Sequence, residues 1–106
     1  MAFRAMVAVT VLLLMGSLAH AEMRVTRNVI GCQTRATFDK VVRLQIDGDM
    51  EALKKFLVVP FIAGECTVFK AGDTVSVEDV KIFGGVVCMR PRGEPTCFWT
   101  YSNAVK

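Results

Sequence analysis

Four cysteines, Cys32, Cys66, Cys88 and Cys97, limit what this chain can become more than any other residues do. They follow an amino-terminal stretch built like an export leader. Arg4 gives it a positive start, Ala5 through Met15 is apolar apart from Thr10, and Ala19-His20-Ala21 sets small residues just ahead of a cut. Residues 1–21 are therefore expected to be a signal peptide, with Glu22 opening the mature protein. The apolar run is shorter than the about 20 residues that a stable membrane anchor needs. Export would carry the thiols into an oxidising compartment. There, four cysteines in a small domain read as two disulfides with three possible connectivities.

Spacing favours one connectivity. Cys88 and Cys97 are equidistant from Arg92-Gly93, so a hairpin turning there would set them opposite each other, within bridging reach. Cys32–Cys66 is then the second bond. In the chain-entropy treatment the longer loop is worth roughly 3 to 4 kcal/mol and the shorter about 2.5 kcal/mol. A domain of this size builds only one small core, so such staples matter. A redox site would call for a Cys-x-x-Cys pair, and zinc for closer ligand spacing than these gaps offer.

What the leader removes also narrows the function. His20 is the only histidine of the chain, so the mature protein could not build a Ser-His-Asp or Cys-His site. The formal net charge of +3, lowered by one when Arg4 leaves, is spread over interspersed charges. Nucleic-acid binding would call for a basic block. Asp47, Asp49, Glu65, Asp73, Glu78, Asp79 and Glu94 sit at turns and caps, where capping accounts for them. Asp47-x-Asp49 lacks the length and the closing glutamate of a calcium loop. No catalytic residue, cofactor or metal site is expected.

The chain reads as strand, helical hairpin and sheet. Arg24 to Ile30 is expected to form an opening strand that Gly31 ends. Thr34 is placed to cap a helix carrying Phe38, Val41, Val42 and Gln45/Ile46 on one face. Gly48 and Asp49 end it and begin a second, with Met50, Leu53, Phe56 and Leu57 as its stripe, Glu51 and Lys55 paired outside, and Pro60 as its limit. Strands are expected from Cys66 to Phe69, Thr74 to Val77, Lys81 to Arg90 (bent at Gly84-Gly85) and Thr96 to Tyr101. One helical turn at Ser102-Asn103-Ala104 comes before the last strand residues.

Phe98-Trp99-Thr100-Tyr101 is the best functional lead. Alternate strand residues face opposite sides, so Trp99 and Tyr101 share a face with Cys97 while Phe98 takes the other. Amphipathic rings beside Lys81, Arg90 and Arg92 would suit a peptide, glycan or protein partner, and Arg90, Arg92, Phe98, Trp99 and Tyr101 are the candidate partner-binding residues.

Gly31-Cys32, Asp47-Gly48-Asp49, Gly64-Glu65-Cys66-Thr67, Ala71-Gly72-Asp73-Thr74-Val75, Arg92-Gly93 and Trp99-Thr100 together resemble a group of small exported, uncharacterised proteins of Gram-negative bacteria. That resemblance implies a periplasmic location. Gly72-Asp73-x-Val75-x-Val77, the kinked strand and the closing Phe98-Trp99 also resemble bacterial Src-homology-3-like barrels, which implies peptide or cell-wall binding.

The expectation is a disulfide-stapled α+β domain over residues 22–106. It comprises an N-terminal strand, a short αα-hairpin and a small antiparallel, Src-homology-3-like sheet or barrel. Such a protein would be periplasmic or extracellular, without a membrane anchor, and would bind a cell-envelope protein or glycan without catalysis. One rival is an inhibitor or immunity-type protein that blocks an enzyme through the loop from Pro91 to Pro95, its basic tip entering an acidic cleft. Others are a structural envelope component and a small carboxylate enzyme.

Overall fold

The computed structural model describes residues 22–81 and 84–106, so the expected leader lies outside the described residues. The elements in chain order are β1 (Glu22–Arg24), β2 (Val29–Cys32), α1 (Arg35–Ile46), α2 (Met50–Ile62), β3 (Cys66–Phe69), β4 (Thr74–Lys81), β5 (Val86–Pro91) and β6 (Phe98–Tyr101), then a 3-10 turn over Ser102–Ala104. The fold is α+β. One six-stranded antiparallel sheet, ordered β1-β4-β5-β6-β2-β3, carries the helical hairpin.

The helices begin where side chains supply their first acceptors. Thr34 Oγ1 accepts the Thr37 N–H at 3.2 Å, and Asp49 Oδ1 accepts the Ala52 N–H at 3.1 Å. Gly48, at φ +71°, lets the chain reverse between them. Phe38, Val41, Leu53 and Leu57 are buried from the two facing stripes. Pro60 does not end α2 as expected. It sits buried inside the last turn, and the carbonyls of Val59 and Pro60 are taken by the N–H groups of Ala63 and Glu65. The proline removes one ladder bond, that to the Phe56 carbonyl, and the helix runs only two residues beyond it.

The sheet separates two apolar clusters. On one face Val25, Val29, Phe69, Val75, Val87, Met89, Phe98 and Ala104 pack together. On the other, Cys32, Cys66 and Val86 meet Phe38, Val41, Leu53 and Leu57 of the helices, with Trp99 and Tyr101 at the margin. The alternation expected of β6 holds, since Phe98 and Trp99 enter different clusters.

Three strand boundaries differ from expectation. The opening strand is broken at Thr26-Arg27-Asn28, because Thr26 N–H turns to the Ala104 carbonyl at 2.7 Å and Asn28 Oδ1 accepts the Ala71 N–H. Gly31 does not end a strand but lies inside β2 under the Phe69 ring, where an added Cβ would stand 2.5 Å from Phe69 Cε2. Gly84 and Gly85 form a turn between two strands, and β4 continues to Lys81 through a bulge between Val77 and Asp79.

Both expected disulfides are present, Cys32–Cys66 and Cys88–Cys97. Cys32 and Cys66 are direct cross-strand partners with Cα atoms 4.1 Å apart. Cys88, however, stands opposite Trp99, and Cys97 reaches it diagonally from just before β6. The turn is centred on Arg92-Gly93 as expected, closed by Glu94 N–H on the Pro91 carbonyl, but the remaining loop residues fall on the β6 side and offset the strand register by two residues. The sheet is not closed. Its two end strands are β1 and β3, and the side of β1 away from β4 is met by Val105 through one bridge. Among the described residues no helix is long and apolar enough to cross a membrane.

Candidate functional site

The residues expected to meet a partner are divided among three places. Phe98 is buried at 4 % exposure, edge-on to Phe69 with ring centroids 6.0 Å apart, and forms part of the core. Arg90 is held by Glu78, Nε to Oε1 at 2.7 Å, with the β4 bulge adding Glu78 to that strand. Arg92 lies 3.4 Å from Glu22 Oε1 at the far edge of the sheet. Trp99 is half-buried, with Arg35 Cζ 5.4 Å and Lys81 Nζ 5.9 Å from its ring centroid. Of the cations expected beside the aromatics, Lys81 is therefore there, while Arg90 and Arg92 are engaged with carboxylates elsewhere.

Tyr101 anchors a cleft at the end of α1. Its hydroxyl donates to Gln45 Oε1 at 2.8 Å, and its ring meets Phe38 edge-on at 5.3 Å. Arg27 Cζ stands 5.7 Å from the Tyr101 centroid, while Arg27 Nη2 donates to Asn103 Oδ1. The floor and walls are completed by Asn28, Val29, Ile30 and Val68, around a volume of about 350 Å³. Burial raises the Tyr101 phenol above its ordinary 10.0, the Arg27 charge opposing that rise. The ring is thus a neutral donor at physiological pH.

Three segments build this cleft. The break between β1 and β2 delivers Arg27 and Asn28, the last turn of α1 delivers Gln45, and β6 delivers Tyr101. The oxygens of Asn28 and Gln45 already accept intramolecular bonds, so their amide N–H groups are left for a ligand. With the Arg27 guanidinium the cleft offers several donors, and the Tyr101 oxygen, whose proton is spent on Gln45, remains an acceptor. Tyr101 was legible as a candidate, but Arg27, Asn28 and Gln45 come from distant segments and carry no local signature.

Among the described residues no three His, Cys, Asp or Glu side chains converge to hold a metal ion. The N-terminus of α1 is met by an internal carboxylate, since Glu65 Oε1 accepts Thr37 Oγ1–H at 2.6 Å and Thr34 Oγ1–H at 3.3 Å. Compared with known proteins, the chain matches no protein-family model, no curated protein and no solved structure.

Proposed function

We propose that this chain is an exported, non-catalytic binding protein whose Tyr101 cleft takes an acceptor-rich cell-envelope partner, with a cell-wall glycan as the first candidate. The carrying observation is the donor set of Arg27, Asn28 and Gln45 around a half-buried aromatic ring. Acetamido carbonyls, hydroxyls and carboxylates supply acceptors for these donors, and a sugar face stacks on an aromatic ring. The leader-like residues 1–21 and the two disulfides support periplasmic or extracellular placement.

The same reading extends to a Src-homology-3-like barrel. Its support is the 3-10 turn after β6, from which the chain returns to β1. There Arg24 and Lys106 exchange two backbone hydrogen bonds of 3.0 Å around the Val25–Val105 bridge. On this reading the helices and the β2–β3 hairpin are an insertion between the first two barrel strands.

Co-sedimentation with purified sacculi tests the glycan assignment. Parent protein should pellet, and Arg27→Ala and Gln45→Ala should each weaken binding about tenfold or more. Sacculi that leave the parent in solution, or that bind both variants equally well, overturn it. The inhibitor reading keeps one observation of its own. The exposed Arg92 borders a separate cleft of about 410 Å³ with Pro91, Asp73 and Thr74, on a loop pinned by Cys88–Cys97. Loss of inhibition of a cell-wall hydrolase in Arg92→Ala but not in Arg27→Ala would favour it.

A further inference from the structure

We infer that the β3 edge and the adjoining flank of α2 form a two-fold interface with a second copy of this chain. β3 ends the sheet order, and its pairing with β2 is alternating. The Gln33 N–H bonds the Glu65 carbonyl at 2.8 Å, and the Cys32 and Cys66 Cα atoms are only 4.1 Å apart, which makes Cys32/Cys66 a non-hydrogen-bonded pair. By alternation Ile30/Val68 is another. The N–H and C=O groups of Cys66 and Val68 therefore point away from β2, and among the described residues nothing receives them.

The helix beside this edge is unfinished on the same side. α1 packs on β2 and β6, whereas α2 packs on β3, the outermost strand. On α2, Leu53 and Leu57 face the core, and Phe56 faces α1, with Lys40 Nζ 5.9 Å from its ring. The flank that remains looks past the sheet edge. It carries Val58, Phe61 and Ile62 at helical spacing, exposed by 53 %, 36 % and 82 %. Val68 adds 47 % from the edge strand itself.

A second copy satisfies both features with one operation. A two-fold axis through Thr67 pairs Cys66 with Val68 of the second copy, and Val68 with its Cys66. All four outward main-chain groups on each side are then used. Because the axis is perpendicular to the sheet, the two α2 helices lie on one face, antiparallel, with their apolar flanks together. Thr67 meets Thr67 of the second copy in a non-hydrogen-bonded pair, a favoured cross-strand combination. An extended peptide would satisfy the edge but leave the α2 flank in water, so the self-complementary partner fits better.

The size predicts the strength. Val58 to Ile62 span about 8 Å of the helix, so with the edge strand the contact covers about 400 Å² a side, below the roughly 1,000 Å² total of stable specific interfaces and in the range of weak association. The N-terminal half of the same flank carries Lys54 and the Glu51–Lys55 pair, so the apolar contact is confined to the last turn of α2. A micromolar to millimolar dimer is the expected state.

Sedimentation velocity on the oxidised protein, across micromolar to millimolar concentrations, should show a monomer–dimer equilibrium. Ile62→Lys should weaken it about tenfold or more while leaving the thermal midpoint of folding unchanged, because Ile62 is already exposed. Thr67→Cys should give a covalent dimer on non-reducing gels, whereas Glu94→Cys, on a distant loop, should not. A monomer throughout that range, a dimer indifferent to Ile62→Lys, or equal cross-linking at the two cysteines overturns the proposal.

Discussion

Trp99 stands opposite Cys32, and among the described residues this is the one register contact joining the β2–β3 hairpin to the rest of the sheet. Thr100 Oγ1 reinforces the seam by donating to the Ile30 carbonyl at 2.9 Å. On its other side Trp99 faces Cys88. The indole therefore occupies one row of side chains with a half-cystine on each flank.

Disulfides quench a neighbouring indole by accepting an electron from its excited state. As the only tryptophan, Trp99 should emit weakly in the oxidised protein. Emission should rise in a folded Cys88→Ala/Cys97→Ala variant and again in a Cys32→Ala/Cys66→Ala variant. Equal intensity in all three proteins would refute the placement. Unfolding in urea should rank the same variants, the longer loop costing roughly 3 to 4 kcal/mol and the shorter about 2.5 kcal/mol.

Much of this arrangement was legible in the sequence, and the exceptions have physical causes. Thr34, Gly48 and Asp49 mark the helical hairpin because caps and reversals depend on neighbouring residues alone. The cysteine partners followed from spacing, but the register between them did not. The offset that sets Trp99, not Cys97, opposite Cys88 depends on where a loop stores its extra residues. The break after Arg24 was hidden because the carboxy-terminal segment imposes it, through Ala104 and Lys106. The Tyr101 cleft was half visible: the ring announces itself, while the donors around it meet only after folding.

Tyr101 makes stability depend on pH at the alkaline end. Its phenol pKa is higher folded than unfolded, so the native state holds this proton more tightly. The resulting stability is complete below pH 10.0 and is lost as pH rises through the folded value. Subtracting urea-unfolding data of Tyr101→Phe from the parent should show a difference that shrinks over that window. A flat difference would contradict the assignment. Near-ultraviolet absorbance isolates the titration, since the chain has one tyrosine.

Gly31 should tolerate no side chain. Its Cβ position lies 2.5 Å from Phe69 Cε2 and 3.1 Å from Phe98 Cβ, both in the buried cluster. Gly31→Ala should cost about 1 to 3 kcal/mol in urea unfolding through overpacking. An unchanged midpoint would show that Phe69 swings aside freely.

Glu65 should stabilise α1 as a fixed anion at its N-terminus. Removing its contacts to Thr34 and Thr37 with Glu65→Ala should cost about 0.5 to 1 kcal/mol, and high salt should shrink that difference. Thr34→Ala should cost about 1 kcal/mol with little salt dependence, because its cap is a hydrogen bond. Identical salt responses in the two variants would contradict the electrostatic role.

The Cys32–Cys66 bond joins the last residue of β2 to the first of β3, so everything between them is one covalently tied bight holding both helices. Besides the helix packing, the sheet holds that bight by a covalent clamp whose spacing does not depend on what the loop contains. Helix changes that keep the buried Phe38, Val41, Leu53 and Leu57 leave the two strand ends where they were. In evolutionary terms the hairpin is a cassette. Its outward positions away from Gln45 and from the flank of Val58 to Ile62 are free to diverge while the strands beneath keep their alignment, and they are a natural place to graft a foreign recognition surface onto this scaffold.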